Sequence, residues 1–516
     1  MRMRAKNFSD KLIKNYINIL NEGDLIMHCG YVVKVEKLRP HTNADRLQIA
    51  TFFGNDTVVD LNTKVGDVGV YFPSDLQLSV EYCEMNNLVR KKDANGNEVG
   101  GYLDPDKRNI KAIKLRGEKS DGIFMPIHSL NYCFVNPDVE ISIVAGQAED
   151  KLKVGETIDM VNGHEICCKY IPRTTNKRNS GSVSKARKHK EPYAPMFSEH
   201  VDTEQLAYNL SAFKVGDELD ITLKMHGTSQ RTAYLPVLKG HKKTLWEKIR
   251  KKVGTPVYEY AYVSGTRRVV MEDFEGGNSF YGSNAFREQH HNAFVGKLMR
   301  GETVFYEVVG FTHTGAPIMG NGNNEKVGKD FVKKYGKETV FSYGCTPEGK
   351  KMMCGTDDLG AFKVPVETPV SDLYVYRMTL TTDDGFVVEY SPDFVRHRCE
   401  QMGVKTVPFL GKALISEDRL HFITPDGKDH DYLIGDGDIG SLVMRLAEDY
   451  CDGEDPIGKT HIREGIVIRI VNRPSVKVLK HKNFSFKVLE GIIKDTASAP
   501  DMEEAQEVSD TSEDNE

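Results

Sequence analysis

Apolar and polar positions keep one rhythm near the start of the chain and another after its middle. Between residues 24 and 75 they alternate over short runs such as Tyr31-Val32-Val33-Lys34-Val35, broken by turn-forming clusters at Gly54-Asn55-Asp56 and Lys64-Val65-Gly66-Asp67. A period of two buries one face of a strand, and short strands at this spacing predict a small β-barrel. From about 193 to 494, longer apolar runs predict strands at ELDITLKM, EYAYVSG, ETVFYEVVG, ETVFSYG, DLYVYRMTL, FVVEY and REGIVIRIV. A helical period predicts amphipathic helices at SPDFVRHRCEQMG and GSLVMRLAEDY. The expected fold class is α+β, with a β-barrel followed by a large α+β domain built on antiparallel sheets. No repeat of 20 to 50 residues is present.

Composition adds boundaries. A length of 516 residues suggests about three units or two with a linker and a tail, and 39% apolar with 28% charged residues is the make-up of a globular chain. No apolar run approaches the ~20 residues that span a bilayer. The basic N-terminus is interrupted by Asp10 where a signal peptide needs an unbroken apolar core. A cytoplasmic monomer is the expectation. The nine cysteines are scattered without a C-x-x-C pair, so reduced structural thiols are expected.

Net charge becomes informative once divided along the chain. Residues 495–516 carry nine carboxylates and no Lys or Arg, so of the total of −6 the tail holds −9 and the body +3. Such a tail is read as disordered, serving solubility or mimicking nucleic acid. Residues 171–190 hold seven Lys or Arg, no acid and almost nothing to bury, which reads as a basic linker over 171–192 that could also release phosphate counterions.

The first stretch that bears chemistry is Leu223-Lys224-Met225-His226-Gly227-Thr228-Ser229, a lysine ending an apolar strand at a glycine-containing turn. A lysine so placed is either solvated or, where desolvation or neighbouring cations lower its pKa from ~10.4, a nitrogen nucleophile. Later strands carry polar groups among apolar ones: Ser264-Gly265-Thr266-Arg267-Arg268, Phe305-Tyr306-Glu307-Val308-Val309-Gly310, Tyr374-Val375-Tyr376-Arg377, Arg463-Glu464-Gly465-Ile466-Val467 and Leu479-Lys480-His481-Lys482. Single charges on buried strands are costly unless they converge on one another or on a charged ligand. Three lysines, an arginine and two glutamates in one cleft would suit a polyphosphate with its metal.

In this order K-x-H-G-T, S-G-T-R, E-x-x-G, Y-R, R-E-G-x-V and K-x-K match the motifs of the covalent nucleotidyltransferases, and within them the chain resembles an ATP-dependent RNA ligase. The histidine of K-M-H-G is similar to phage-type and eukaryotic RNA ligases, where DNA ligases and capping enzymes usually place Asp. The segment Arg39-Pro40-His41-Thr42-Asn43-Ala44-Asp45-Arg46-Leu47, with VGDVGVYFPSDLQLS and IKLRGEKSDGIFMP, resembles the oligonucleotide-binding (OB) barrel appended to some aminoacyl-tRNA synthetases. Together the two parts resemble the Deinococcus-type nick-sealing RNA ligases. Extra length before residue 190, an insert around 315–365 and the acidic tail depart from that pattern.

The resemblance implies an OB-type RNA-binding domain over 1–170, a basic linker over 171–192, a nucleotidyltransferase (ATP-grasp-like ligase core) adenylation domain over 193–494 and an acidic tail over 495–516. It implies that Lys224 attacks the α-phosphorus of ATP to give lysyl-AMP and that Lys480 and Lys482 contact the α-phosphate. Glu307 would bind the ribose, Tyr376 would stack on adenine, and His226 and Gly227 would touch the nucleotide. Glu464 would hold metal-bound water or orient the lysine. Arg267 would reach ATP or RNA phosphates, with Arg268 as its alternate, since neighbours on a strand face opposite ways. The implied cofactors are ATP with Mg²⁺ or Mn²⁺, and the implied partner is nicked or structured RNA, tRNA included, held in part by Arg46, Lys114 and Arg116. A non-catalytic tRNA- or RNA-binding protein and a related capping or DNA-sealing enzyme are the alternatives. Residues 200–206 read as part of an adenine pocket or, more simply, as a helix start capped by Asp202 or Thr203. His290, His291, Cys345 and Cys354 match no ligand spacing and read as structural.

Overall fold

The alternating runs near the N-terminus form strands that pair antiparallel. The computed structural model describes residues 28–92, 98–134, 147–171 and 193–493, apart from 201, 245, 247–253, 272–273, 275–280, 282–283, 314, 346–369 and 436. Of the linker expected over 171–192, residues 172–192 lie outside the described residues, as does the tail over 495–516. The chain divides into two compact units, Met1–Tyr170 and Ile171–Glu516.

In the first unit Val68–Phe72 is flanked by Ile123–Pro126 and by Gly30–Lys34, which also pairs with Thr157–Ile158. Leu38–Pro40, Leu47–Phe52 and Asn55–Asp60 make a separate meander. Its two-residue turn places both Phe53 and Gly54 at positive φ (51° and 77°), the backbone that matches strand twist in a tight hairpin. Val32, Val70, Phe72, Leu76, Leu78, Tyr82 and Leu130 form the core. Among the described residues the ladders do not close into a ring: a four-stranded sheet, a three-stranded sheet and several two-stranded pairs remain distinct. The closed barrel expected from strand spacing is therefore not present as one ladder, because pieces as short as Thr157–Ile158 and Leu38–Pro40 cannot carry continuous pairing on both edges.

The second unit is built on two antiparallel-rich sheets. One runs in the order Glu204–Gln205, Lys477–Lys482, Gly465–Ile470, Glu218–Lys224, Phe409–Ile415, Arg419–Ile423, Asp429–Leu433. The other runs Val270–Met271, Thr255–Gly265, Thr228–Lys242, Glu302–Gly310, Ser371–Thr381, Val387–Glu389. Consecutive strands Glu218–Lys224 and Thr228–Lys242 thus belong to different sheets, joined only by Met225, His226 and Gly227. Leu223, Met225, Val309, Tyr343, Tyr374 and Val407 bury the seam between them.

Both expected helices form. Pro392–Met402 starts at Ser391, whose side chain accepts from the Phe394 N–H, and ends on Gly403 in the left-handed region. Ile439–Cys451 is capped by Asp438 and buries Leu442, Val443, Leu446 and Ala447. ETVFSYG departs from expectation: only Glu338–Thr339 is strand, and the chain then turns so that Tyr343 takes φ 46°. The apolar residues there fill the seam rather than a sheet face. The eight described cysteines are free thiols, all buried except the half-buried Cys168, and Cys354 lies outside the described residues. No described helix is long and apolar enough to cross a membrane.

Candidate active site

Register brings the lysines together. Lys224 lies opposite Gly465, and Gly465 opposite Lys482, so the ends of three neighbouring strands line up. A side chain at position 465 would run into the His481 carbonyl, which is why the central place holds glycine. Glu464, one residue earlier and almost fully buried, faces both amines: its Oε1 is 2.7 Å from Lys224 Nζ and 3.4 Å from Lys482 Nζ. Burial alone would raise its pKa, but Lys224 and Lys482 outweigh that and hold it below the ordinary carboxyl value. Its Oε2 is buried without a hydrogen-bond partner, with His226 Nδ1 3.9 Å away.

The second sheet supplies the opposite wall. Glu307 sits opposite Ser229 on the neighbouring strand, and burial pushes its carboxyl up to about 7 in spite of Lys224 nearby. A Cβ at Gly227 would collide with the Val308 carbonyl, so the turn must be glycine to lie this close, and the Gly227 N–H reaches the Glu307 carboxylate. Tyr376 is the extra residue of a β-bulge, since Phe305 pairs with Arg377 but Tyr306 with Val375. A bulge re-aims a side chain, and the Tyr376 hydroxyl meets Ser229 Oγ at 3.0 Å. Burial raises that phenol to about 12.

Electrostatics in the cleft follow from burial beside like charge. Lys480 is lowered to about 8 by burial and then by Lys482 and Lys224. His226 is lowered to about 4, chiefly by burial, between the edges of Phe341 and Phe486 at 4.8 and 4.7 Å. The His226 backbone N–H donates to the Tyr343 hydroxyl at 2.8 Å, which fixes the turn. His200, lowered to about 3 by burial and by Arg267, packs on Tyr376.

Asp202 does not cap a helix as expected; residues 204–205 are strand, and Asp202 instead holds Arg267 Nη1 at 2.7 Å. An exposed helix start would leave that carboxylate in water, whereas here the arginine beside it offers the stronger partner. Arg268 contributes its carbonyl to Arg231. His290 and His291 are buried against Ser371 and Thr232 on Ala285–Asn292, and Cys345 is buried beneath Gly310. In the first unit Arg46, Lys114 and Arg116 are exposed, with Arg116 in the turn at φ 48°. That turn is tied to Asn43 and His41 by hydrogen bonds to the Arg116 and Leu115 carbonyls.

Three participants escape the motif reading. Arg231, buried at 1% exposure, donates to the carbonyls of Thr266, Phe197 and Arg268 and lies 4.1 Å from the Phe197 ring, clamping residues 197–200 against the Arg267 strand end. Its signal was a lone cation in the apolar run RTAYLPVL. Glu490 binds Lys482 at 2.6 Å from the largely apolar helix Phe484–Ile493, where it is the one acid. Tyr343, the anchor of the His226 turn, carried no signal beyond apolarity.

Among the described residues no group of three or more His, Cys, Asp or Glu is placed to hold a metal. No protein-family model and no curated protein matches the chain. Among solved structures it is similar to Naegleria gruberi RNA ligase. One variant with AMP and Mn aligns at 14% identity and TM-score 0.48, over 89% of this chain and 97% of that one. Another with ATP and Mn aligns at 13% and 0.49, over 89% and 98%. The same ligase with PPi aligns at 14% and 0.47, over 89% and 97%.

Proposed function

We propose that this chain is an ATP-dependent RNA ligase joining 3′-OH and 5′-phosphate RNA ends, nicks among them, through lysyl-AMP. The observation that carries the reading is the convergence at the seam of Lys224, Lys482 and Glu464 within 2.7 to 3.4 Å, faced by Glu307 and Tyr376. Mere nucleotide binding does not call for a strand-end lysine held against a buried carboxylate.

Lys224, as the free amine, would attack the α-phosphorus of ATP, forming the P–N bond as pyrophosphate leaves. Glu464 Oε1 is the nearest acceptor for the proton it sheds and orients the amine. Lys480 and Lys482 would offset charge gathering on the α-phosphate, an effect that is large in a partly desolvated site. Glu307 would accept from the ribose hydroxyls, Tyr376 would lie against adenine, Gly227 would let the nucleotide approach the backbone, and neutral His226 would brace the turn. Arg267 would face phosphate. The RNA 5′-phosphate would then take AMP from Lys224, breaking the P–N bond, and the 3′-OH would displace AMP to form the phosphodiester. Dividing the reaction in this way gives a good leaving group at each stage.

The ligands named for the Naegleria ligase, ATP and Mn, come to this chain within the same reading, with Mg²⁺ as the alternative ion. Glu464 fits such an ion through its unpartnered Oε2, with phosphates and water completing the shell as hard divalent ions prefer. When bound, the ion would neutralise phosphate charge. The first unit, with an OB-type role and Arg46, Lys114 and Arg116, would add contacts to RNA.

ATP labelled at the α-phosphate, with Mg²⁺ or Mn²⁺, should label wild type through an acid-labile bond and leave Lys224→Ala unlabelled. Nicked RNA should then discharge the label. Equal labelling of both proteins, or of neither, sinks the proposal.

A further inference from the structure

The hairpin that begins at the site continues well beyond it. Thr228–Lys242 pairs with Glu302–Gly310 only as far as Ala233, while its ladder with Thr255–Gly265 runs on to Lys242 and Thr255. Past Ala233 the pair is a two-stranded ribbon. One face carries Ala233, Leu235, Val237 and Val263 into the core beneath Tyr193, Ala194 and Phe197. The other carries an aromatic row: Tyr234 stacks on Tyr262 at 4.6 Å and meets Tyr260 at 5.6 Å, Arg300 lies 5.0 Å from the Tyr260 ring, and Tyr258 follows. These tyrosines are half-buried, and the Tyr260 hydroxyl donates to Asp383 Oδ1 at 2.7 Å.

Toward its tip the ribbon becomes basic. Lys239 is the extra residue of a second bulge, between Leu238 and Gly240. Lys239, Lys242 and Lys243 are exposed, and Trp246, the single tryptophan of the chain, is 68% exposed. In sequence, residues 239–252 hold seven Lys or Arg against Glu247 alone. A row of half-buried rings leading to an exposed tryptophan among clustered cations fits one chemistry: bases offer faces to aromatic rings while phosphates meet the cations. An acidic peptide without aromatic residues, such as the chain's own tail, would use the lysines and leave the rings idle.

We propose that this ribbon is a nucleic-acid seat, with Lys239, Lys242 and Lys243 on the phosphates and Trp246 with the tyrosine row against unpaired bases. That the occupant is RNA rests on the ligase reading. The seat shares its strand with Ser229 of the cleft, but on the opposite face: the tyrosine face continues into Gln230 and Thr232, buried against helix Ala285–Asn292, so the seat lies beside the cleft and holds RNA outside it.

Tryptophan emission reports from the tip alone. A single-stranded RNA oligonucleotide and a nicked RNA duplex are titrated into the full chain, reading Trp246 emission and oligonucleotide anisotropy from 50 to 300 mM KCl. The expected result is a change in emission on binding. In the triple variant Lys239→Ala, Lys242→Ala, Lys243→Ala, the slope of log affinity against log salt should flatten by about 2 to 3. Trp246→Ala should weaken single-strand binding by about fivefold to a hundredfold, the range for one lost base stack. AMP uptake by Lys224 in both variants should match wild type, which separates the seat from the chemistry. Loss of AMP uptake in wild type with the seat intact would remove the ligase reading and leave this one standing. RNA binding without an emission change and with the same salt slope in the triple variant overturns the seat. So does an emission change produced in RNA-free protein by converting the tail carboxylates of 495–516 to amides, if RNA itself produces none.

Discussion

At the scale of single residues, the cleft shows how burial and neighbouring charge divide one chemical type into two roles. Glu464 and Glu307 are both carboxylates beside Lys224, yet Glu464 is held ionised by two lysines while Glu307 keeps its proton up to about 7. In the unfolded chain Glu307 releases that proton near 4.5. Between those values the folded state binds more protons, so stability must fall as pH rises through the window. Relative to Glu307→Gln, wild type should lose about 2 kcal/mol between pH 5 and pH 8, a figure reduced for the partial solvation of the group. Urea unfolding of both proteins at matched pH tests this, and parallel curves would refute it. Lys224, Glu307, Tyr376, Glu464, Lys480 and Lys482 were named from the order of motifs that resembles the nucleotidyltransferases, each being a polar position on an apolar strand. Tyr343 and Glu490 could not be named in this way, since what they do is decided by a partner far away in the chain. Asp202 was misread because a local cap and a distant arginine look the same in one dimension.

At the scale of elements, strand ends and bulges position the chemistry. Lys224, Gly465 and Lys482 come level through register, and one methyl group at the middle position would meet the neighbouring backbone. Gly465→Ala should cost about 1 to 3 kcal/mol, the usual penalty for overpacking, and should depress AMP uptake beyond what loss of folded protein explains. Denaturation midpoints and labelling per folded molecule separate the two effects, and unchanged labelling would show that the register tolerates the push. Helix Pro392–Met402 is anchored differently, by Arg398 bound to the fully buried Glu302 at 2.7 Å. Arg398→Leu should cost about 3 to 5 kcal/mol by stranding that carboxylate, with AMP uptake per folded molecule unchanged, and Glu302→Gln in the same chain should recover part of the loss. Recovery of none, by urea unfolding, would refute the pairing as the cause. Both helices and most strands were readable from their periods. ETVFSYG was not, because a seam between sheets demands apolar residues as strongly as a sheet face does.

At the scale of the whole molecule, every side chain assigned to nucleotide chemistry lies in Ile171–Glu516, while Arg46, Lys114 and Arg116 lie in Met1–Tyr170. A chain starting at residue 193 should therefore take up AMP on Lys224 at a rate close to that of the full protein while sealing nicked RNA more slowly. Gel assays of both steps decide it, and loss of AMP uptake in the shorter chain would show that the first unit takes part in the chemistry. What the sequence by itself determined is local: strand and helix periods, the order of the polar motifs, the acidic end and the cationic run at 239–252. Those features depend on residues a few positions apart, where spacing along the chain equals spacing in the element. Only the tertiary structure decided that the two strands around K-M-H-G enter different sheets and that Lys482 pairs with Glu490. It alone decided that a bulge turns Tyr376 toward Ser229, that the barrel ladders stay open among the described residues, and that a row of tyrosines leads into the cationic run. Each of these is a contact between segments brought together by packing, and hydrophobic burial fixes which segments meet without leaving a mark in either one alone.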